Sequence, residues 1–107
     1  MQPTTNTSSR TDILKQMLAA DPGNSFARYG LAMEYVKTNA FQEAVSEFAS
    51  LLSHDPNYSA AYFHGGQTFE KMGDLDAARD MYRRGLAVTS DPHARGELQA
   101  SLDILGE

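Results

Sequence analysis

The chain has 107 residues, no cysteine, and fourteen Asp and Glu against nine Lys and Arg, for a formal net charge of −5. That length suits one domain burying roughly 65% of its extended surface, enough for a core but not for a large enclosed pocket. The acidic balance repels phosphate and disfavours nucleic acid or anionic lipid as partners, while the missing thiols exclude disulfides and thiolate metal sites.

Residues 1–10 are polar, rich in Thr and Ser, and contain Pro3. They lack the apolar stretch of a secretory signal and read as a flexible tail ahead of one domain over 11–107. No run approaches eighteen consecutive apolar residues, so no membrane-spanning helix is expected and a cytoplasmic location is the reading.

A helix is predicted over 11–21, because Ser9 suits the cap, Asp12 suits the positive end of the dipole, and Ile13, Leu14, Met17 and Leu18 follow at helical spacing. Asp21-Pro22-Gly23 closes it. From Phe26 to Lys37 apolar residues fall on several sides, so this helix must be covered over most of its circumference. Asn39 then breaks the chain, as Gly73 does further on; both residue types tolerate φ > 0, and both positions read as left-handed helix ends joining antiparallel helices. A partner helix is predicted from Phe41 to Ser53. A second hairpin follows, with helices over Ser59 to Met72 and from the N-cap Asp74 to Val88. Beyond Asp91-Pro92 a last helix over 93–105 carries Leu98, Leu102 and Leu105 on one face.

These elements repeat at an interval of thirty-four residues: Asp21-Pro22 returns as Asp55-Pro56, Tyr35 as Phe69, Ala44 as Ala78, Phe48 as Tyr82. A period in this range marks stacked units, none of which buries its own apolar face alone. Leu14, Phe48 and Tyr82 share the register, so the first helix is a half repeat (11–21) before repeats over 25–58 and 59–90, and the helix over 93–105 is a terminal cap. The fold class is all-α, a short right-handed solenoid of about six helices. Asp91-Pro92 arrives two residues late, which predicts a longer turn before the last helix.

The second copy reads Tyr62-x-x-Gly65-Gly66-x-x-Phe69 and Ala78-x-x-x-Tyr82; the first reads Arg28-x-x-Leu31-Ala32-x-x-Tyr35, Ala44-x-x-x-Phe48 and Pro56. This pattern resembles the tetratricopeptide repeat, whose first helix carries an aromatic, Leu-Gly and Tyr, and whose second carries Ala, Phe and Pro. Two departures stand out. Arg28 replaces the leading aromatic, its stem expected to pack while its head reaches water. Gly65 replaces leucine, and two adjacent helical glycines cost roughly 1 kcal/mol each relative to alanine. Either Gly66 crosses closely over Ala78, or a ligand backbone approaches Gly65.

The residues offer no set for catalysis, no cofactor motif and no metal site. His54, His64 and His93 form no H-x-x-x-H pair, and neither a G-x-S-x-G turn nor a phosphate loop is present. Asp76, Arg79, Asp80, Arg83 and Arg84 pair along one solvated helix face. The protein reads as no enzyme.

The resemblance implies a concave groove lined by the first helix of each repeat. It places Phe26, Tyr29, Met33, Val36 and Lys37 there beside Ala60, Phe63, His64, Gln67, Glu70 and Lys71. Tyr29, Met33, Phe63 and Gln67 stand where family members that grip carboxylate ends carry lysine and asparagine, so no carboxylate clamp is expected. The apolar half suits a peptide or helix of a protein partner, with Met33 adaptable and the aromatics as anchors. Tyr29, Met33 and Phe63 also suit packing where the first helices meet; Phe26 and Val36 exceed that contact and favour an exposed strip. The expected role is an adaptor or scaffold module, with a homodimer formed through the groove or a terminal helix as the alternative.

Overall fold

The computed structural model describes residues 9–106. It contains six helices: α1 (Arg10–Ala20), α2 (Ser25–Lys37), α3 (Phe41–His54), α4 (Ser59–Lys71), α5 (Leu75–Val88) and α6 (Pro92–Ile104). Each packs on the next across a turn of three or four residues, which makes neighbours antiparallel and α2, α4 and α6 alike in direction; α4 also touches α6. The body measures 53 × 26 × 20 Å with a radius of gyration of 15.1 Å. A compact chain of this length would have about 13 Å, so the units are stacked in a row.

Local chemistry sets the boundaries. Ser9, Asn24, Asp74 and Asp91 accept from the amides of Asp12, Ala27, Ala77 and Ala94 at 3.1, 3.0, 3.1 and 2.9 Å. Each such cap contributes about 1 kcal/mol. Helices α3 and α5 are entered in the same way: Asn39 (φ 62°) and Gly73 (φ 80°) are left-handed. The amides of Ala40 and Asp74 reach back to the carbonyls of Tyr35 and Phe69 at 2.8 and 2.9 Å, satisfying the last turns of α2 and α4.

Three details differ from the sequence reading. Arg10, assigned to the tail, opens α1, and its guanidinium meets Glu34 at 3.1 Å; the rest of the proposed tail, residues 1–8, lies outside the described residues. The late Asp-Pro does not lengthen a turn. Pro22 and Pro56 each stand three residues before a helix, whereas Pro92 is the first residue of α6, where its missing N–H costs nothing, and Asp91 caps it. Arg28 does not send its head to water either. Its side chain is only 18% exposed, with Nη1 on Glu47 at 2.8 Å and Nη2 donating to the Pro22 carbonyl at 3.1 Å. In the second repeat the Tyr62 hydroxyl donates to the Pro56 carbonyl at 2.7 Å. Arginine and tyrosine thus serve the same backbone acceptor.

The core divides into two clusters. Leu14, Leu18, Ala27 and Leu31 join α1 to α2, while Ala32, Ala44, Phe48, Leu51, Leu52, Ala61, Tyr62, Ala78, Met81, Tyr82, Leu98 and Leu102 run through α2 to α6. Tyr35 packs against both and couples them.

The double glycine is explained by crowding. A Cβ on Gly65 would strike the end of Met81 with Phe48 behind it, and one on Gly66 would strike the Tyr82 ring. The close partner of Gly66 is therefore Tyr82, not Ala78. Gly65 is buried within the core, so no ligand backbone reaches it. Gly85 completes the arrangement, wedged between Tyr62 of α4 and Leu98 of α6.

Gly66→Ala is expected to lower stability by about 1–3 kcal/mol through overpacking against an aromatic ring. Gly96→Ala, with nothing near its Cβ, should raise stability by about 0.5–1 kcal/mol. Urea unfolding of the two variants beside wild type reads both signs. Equal midpoints for the pair would refute the crowding account.

Candidate interaction groove

The three parallel helices α2, α4 and α6 present one face each to the same side. Phe26, in the first turn of α2, is 68% exposed, an unusual position for phenylalanine. Tyr29, Met33, Val36 and Phe63 are half-buried, resting on the main core while offering their outer edges. Tyr29 is the centre of an aromatic cluster: its ring lies 6.3 Å from Phe48, 5.3 Å from Tyr58 and 5.9 Å from His64 between centroids. Phe63 meets His64 edge-on at 5.0 Å. Rings of α2, α4 and the turn before α4 therefore pack together while remaining partly exposed.

The polar residues are distributed unevenly. Lys37 and Gln67 are exposed. Glu70 is committed, because the Tyr82 hydroxyl donates to its carboxylate. Lys71 turns over the Phe41 ring at 6.0 Å, at the start of α3. Of the polar rim expected from sequence, Lys37 and Gln67 remain without a structural contact of this kind, and Glu70 is better described as a tie to α5.

Three residues at this surface escape the sequence reading. Tyr58 precedes α4 and so falls outside any helical pattern; its counterpart Asn24 caps α2, whereas Tyr58 donates a ring instead of a cap. Glu97 and Ile104 are seven residues apart on α6 and so share a face, with Ile104 largely exposed. The signal for Glu97 is its i, i+4 pairing with His93, whose Nε2 stands 3.8 Å from the Glu97 Oε2.

Burial governs the titration of this cluster. It raises the Tyr29 hydroxyl above its ordinary value, with Tyr58 and Glu97 adding to the effect, and it raises Tyr58, with Asp55 adding. Burial lowers His64, and the nearby Glu97 charge opposes this in part. His64 is therefore a neutral ring at neutral pH. Among the described residues no group of three or more His, Asp or Glu gathers as metal ligands do, and no helix is long and apolar enough to cross a membrane.

Comparison with known proteins is consistent with this geometry. A family model described as tetratricopeptide repeat matches residues 4–89. A TPR repeat-containing protein of Pseudomonas aeruginosa is 30% identical over 91 residues, covering 85% of this chain and 84% of that protein. The solution structure of a Bordetella parapertussis protein superposes with a TM-score of 0.79 at 31% identity, covering 92% of this chain and 89% of the other. The second TPR domain of human RPAP3, solved in complex with the HSP70 peptide SGPTIEEVD, gives a TM-score of 0.75 at 22% identity, covering 91% and 78%.

The lowered His64 pKa has a direction in stability. Below the unfolded value of about 6.5 the unfolded chain binds the proton first, so stability falls as pH drops through 6.5 toward the folded value. A proton NMR titration should place the His64 ring midpoint below 6.5. His64→Gln should remove its share of the stability loss between pH 7 and 5, and an unchanged slope would contradict the burial described.

Proposed function

The chain belongs to the tetratricopeptide-repeat family, a fold that serves as a protein–protein interaction module, and from that premise we propose that it is a non-catalytic adaptor holding a peptide or helical segment of another protein in the α2–α4–α6 groove. The observation that carries this reading is Phe26. A phenylalanine left 68% exposed beside half-buried Tyr29, Met33 and Val36 contributes little to folding, while covering it with a partner would release about 2 kcal/mol of apolar transfer energy. Tyr29 and Phe63 supply rigid anchors, and Met33 supplies a surface that adapts. The RPAP3 domain holds a peptide on the same fold, but that peptide is acidic. Here Tyr29, Met33, Phe63 and Gln67 provide no clamp of cations for such a charge, so the partner segment is of a different kind.

Self-association is favoured by a separate observation at the other end of the molecule. In α5, Met81 and Gly85 lie against Gly65 and Tyr62 of α4, the helix that precedes it in its hairpin. Their counterparts in α1, Ile13 and Met17, meet no such helix among the described residues, and both are exposed. This stripe gives a second copy somewhere to dock.

Phe26→Asp, tested by pull-down from native cell extract, should lose the captured partner while the melting temperature stays within about 2 °C of wild type, since the side chain supports little of the fold. Retention of every partner by this variant refutes the groove reading. Light scattering across a concentration series separates the second reading: a mass that rises with concentration and returns to monomer in Met17→Glu supports it, and a constant monomer removes it.

A further inference from the structure

The groove gathers its rings and the Glu97 carboxylate together, and we propose that this cluster, centred on Tyr29 and His64 beyond the first turns of α2 and α4, receives a cationic side chain, arginine or lysine, of the partner segment; this rests on the groove being the binding surface.

The receptor is the cluster of Tyr29, Tyr58, Phe63 and His64 with the Glu97 carboxylate beside it. Aromatic faces carry negative potential, and a guanidinium or ammonium placed over them is attracted, more so when a carboxylate completes its hydrogen bonds. The rings are held at centroid separations of 5.0 to 5.9 Å, with no freedom to disperse. Glu97 has acceptor capacity to give. Its side chain is 44% exposed, and the His93 ring it meets at 3.8 Å is itself 84% exposed, so that contact leaves most of the four lone-pair sites open.

The chain's own nearby cations are engaged elsewhere. Arg28 is held by Glu47 and the Pro22 carbonyl, and Arg95 donates to the carbonyls of Leu86 and Thr89. Lys37 and Lys71 lie in the last turns of α2 and α4, about two turns beyond the rings, while the charges felt by the cluster are the carboxylates of Glu97 and Asp55. The charge of Glu97 reaches both Tyr29 and His64, and the desolvated His64 stays neutral, so it does not repel an incoming cation at neutral pH. The net charge of −5 attracts such a segment over longer range. Phe26 and Met33, about one turn to either side of Tyr29 on α2, then receive its apolar residues.

The probes are two helix-forming peptides of about fifteen residues with the same leucine stripe at i, i+3, i+4 and i+7, one bearing arginine at the flank and the other citrulline, which is neutral and nearly isosteric. Titrated into the ¹⁵N-labelled full chain, the arginine peptide should bind about tenfold tighter, with shifts concentrated at Tyr29, His64 and Glu97; tenfold corresponds to about 1.4 kcal/mol. Glu97→Gln should bring the ratio below about twofold without changing helical content, as expected for loss of a charge-assisted contact. If both peptides move Phe26 and Met33 with equal affinity, or if Glu97→Gln keeps the preference, the cation site is wrong and the groove reading stands. If neither peptide perturbs the groove, both fall together.

Discussion

The contact on which the second repeat depends is the Tyr82 ring against the bare backbone of Gly66. Tyr82 is fully buried, and its hydroxyl donates to Glu70 while Ser101 of α6 comes within hydrogen-bonding reach. Burial first, and then the Glu70 carboxylate, hold this phenol far above its ordinary pKa, so it remains a donor at any working pH. One side chain thereby joins α4, α5 and α6. A methyl group at residue 66 would lift the ring and loosen all three attachments, which is why a glycine that weakens an isolated helix strengthens this one. The first repeat has Ala32 and Phe48 at the same places, both fully buried.

Much of the fold is legible in the sequence because each hairpin faces the same packing problem and answers it twice. Ala44 and Ala78 are both fully buried, Asn39 and Gly73 both turn left-handed, and the two Asp-Pro turns share their hydrogen bonds. A residue that must fit between two helices is constrained by steric exclusion alone, and exclusion recurs with the period. Asp91-Pro92 keeps its letters but changes its task, since Asp91 caps α6 and Pro92 is its first residue, where the missing N–H costs nothing.

The groove is less legible, and the reason is physical. Phe26, Tyr29 and Phe63 are visible from helical spacing, but spacing does not say how far a side chain is covered by the next unit. Tyr58 sits in a turn and reaches the cluster only because the turn folds back. Glu70 and Lys71 fall on the expected helix face, yet Tyr82 and Phe41 draw them aside. Such competition between surface polar groups is settled by distances of an ångström or two, which no pattern in one helix specifies.

The replacement of Tyr62 by Arg28 shows what the period preserves. A hydroxyl at 2.7 Å and a guanidinium at 3.1 Å serve the corresponding carbonyls of Pro56 and Pro22. What recurs is the buried acceptor that must be satisfied, not the residue that satisfies it. The arginine brings a second consequence that tyrosine would not, since its other nitrogen fixes Glu47 and so locks α3 to α2 by an ion pair largely shielded from water. The departure from the repeat pattern is thus absorbed inside the hairpin, where the charge it brings is paired with Glu47.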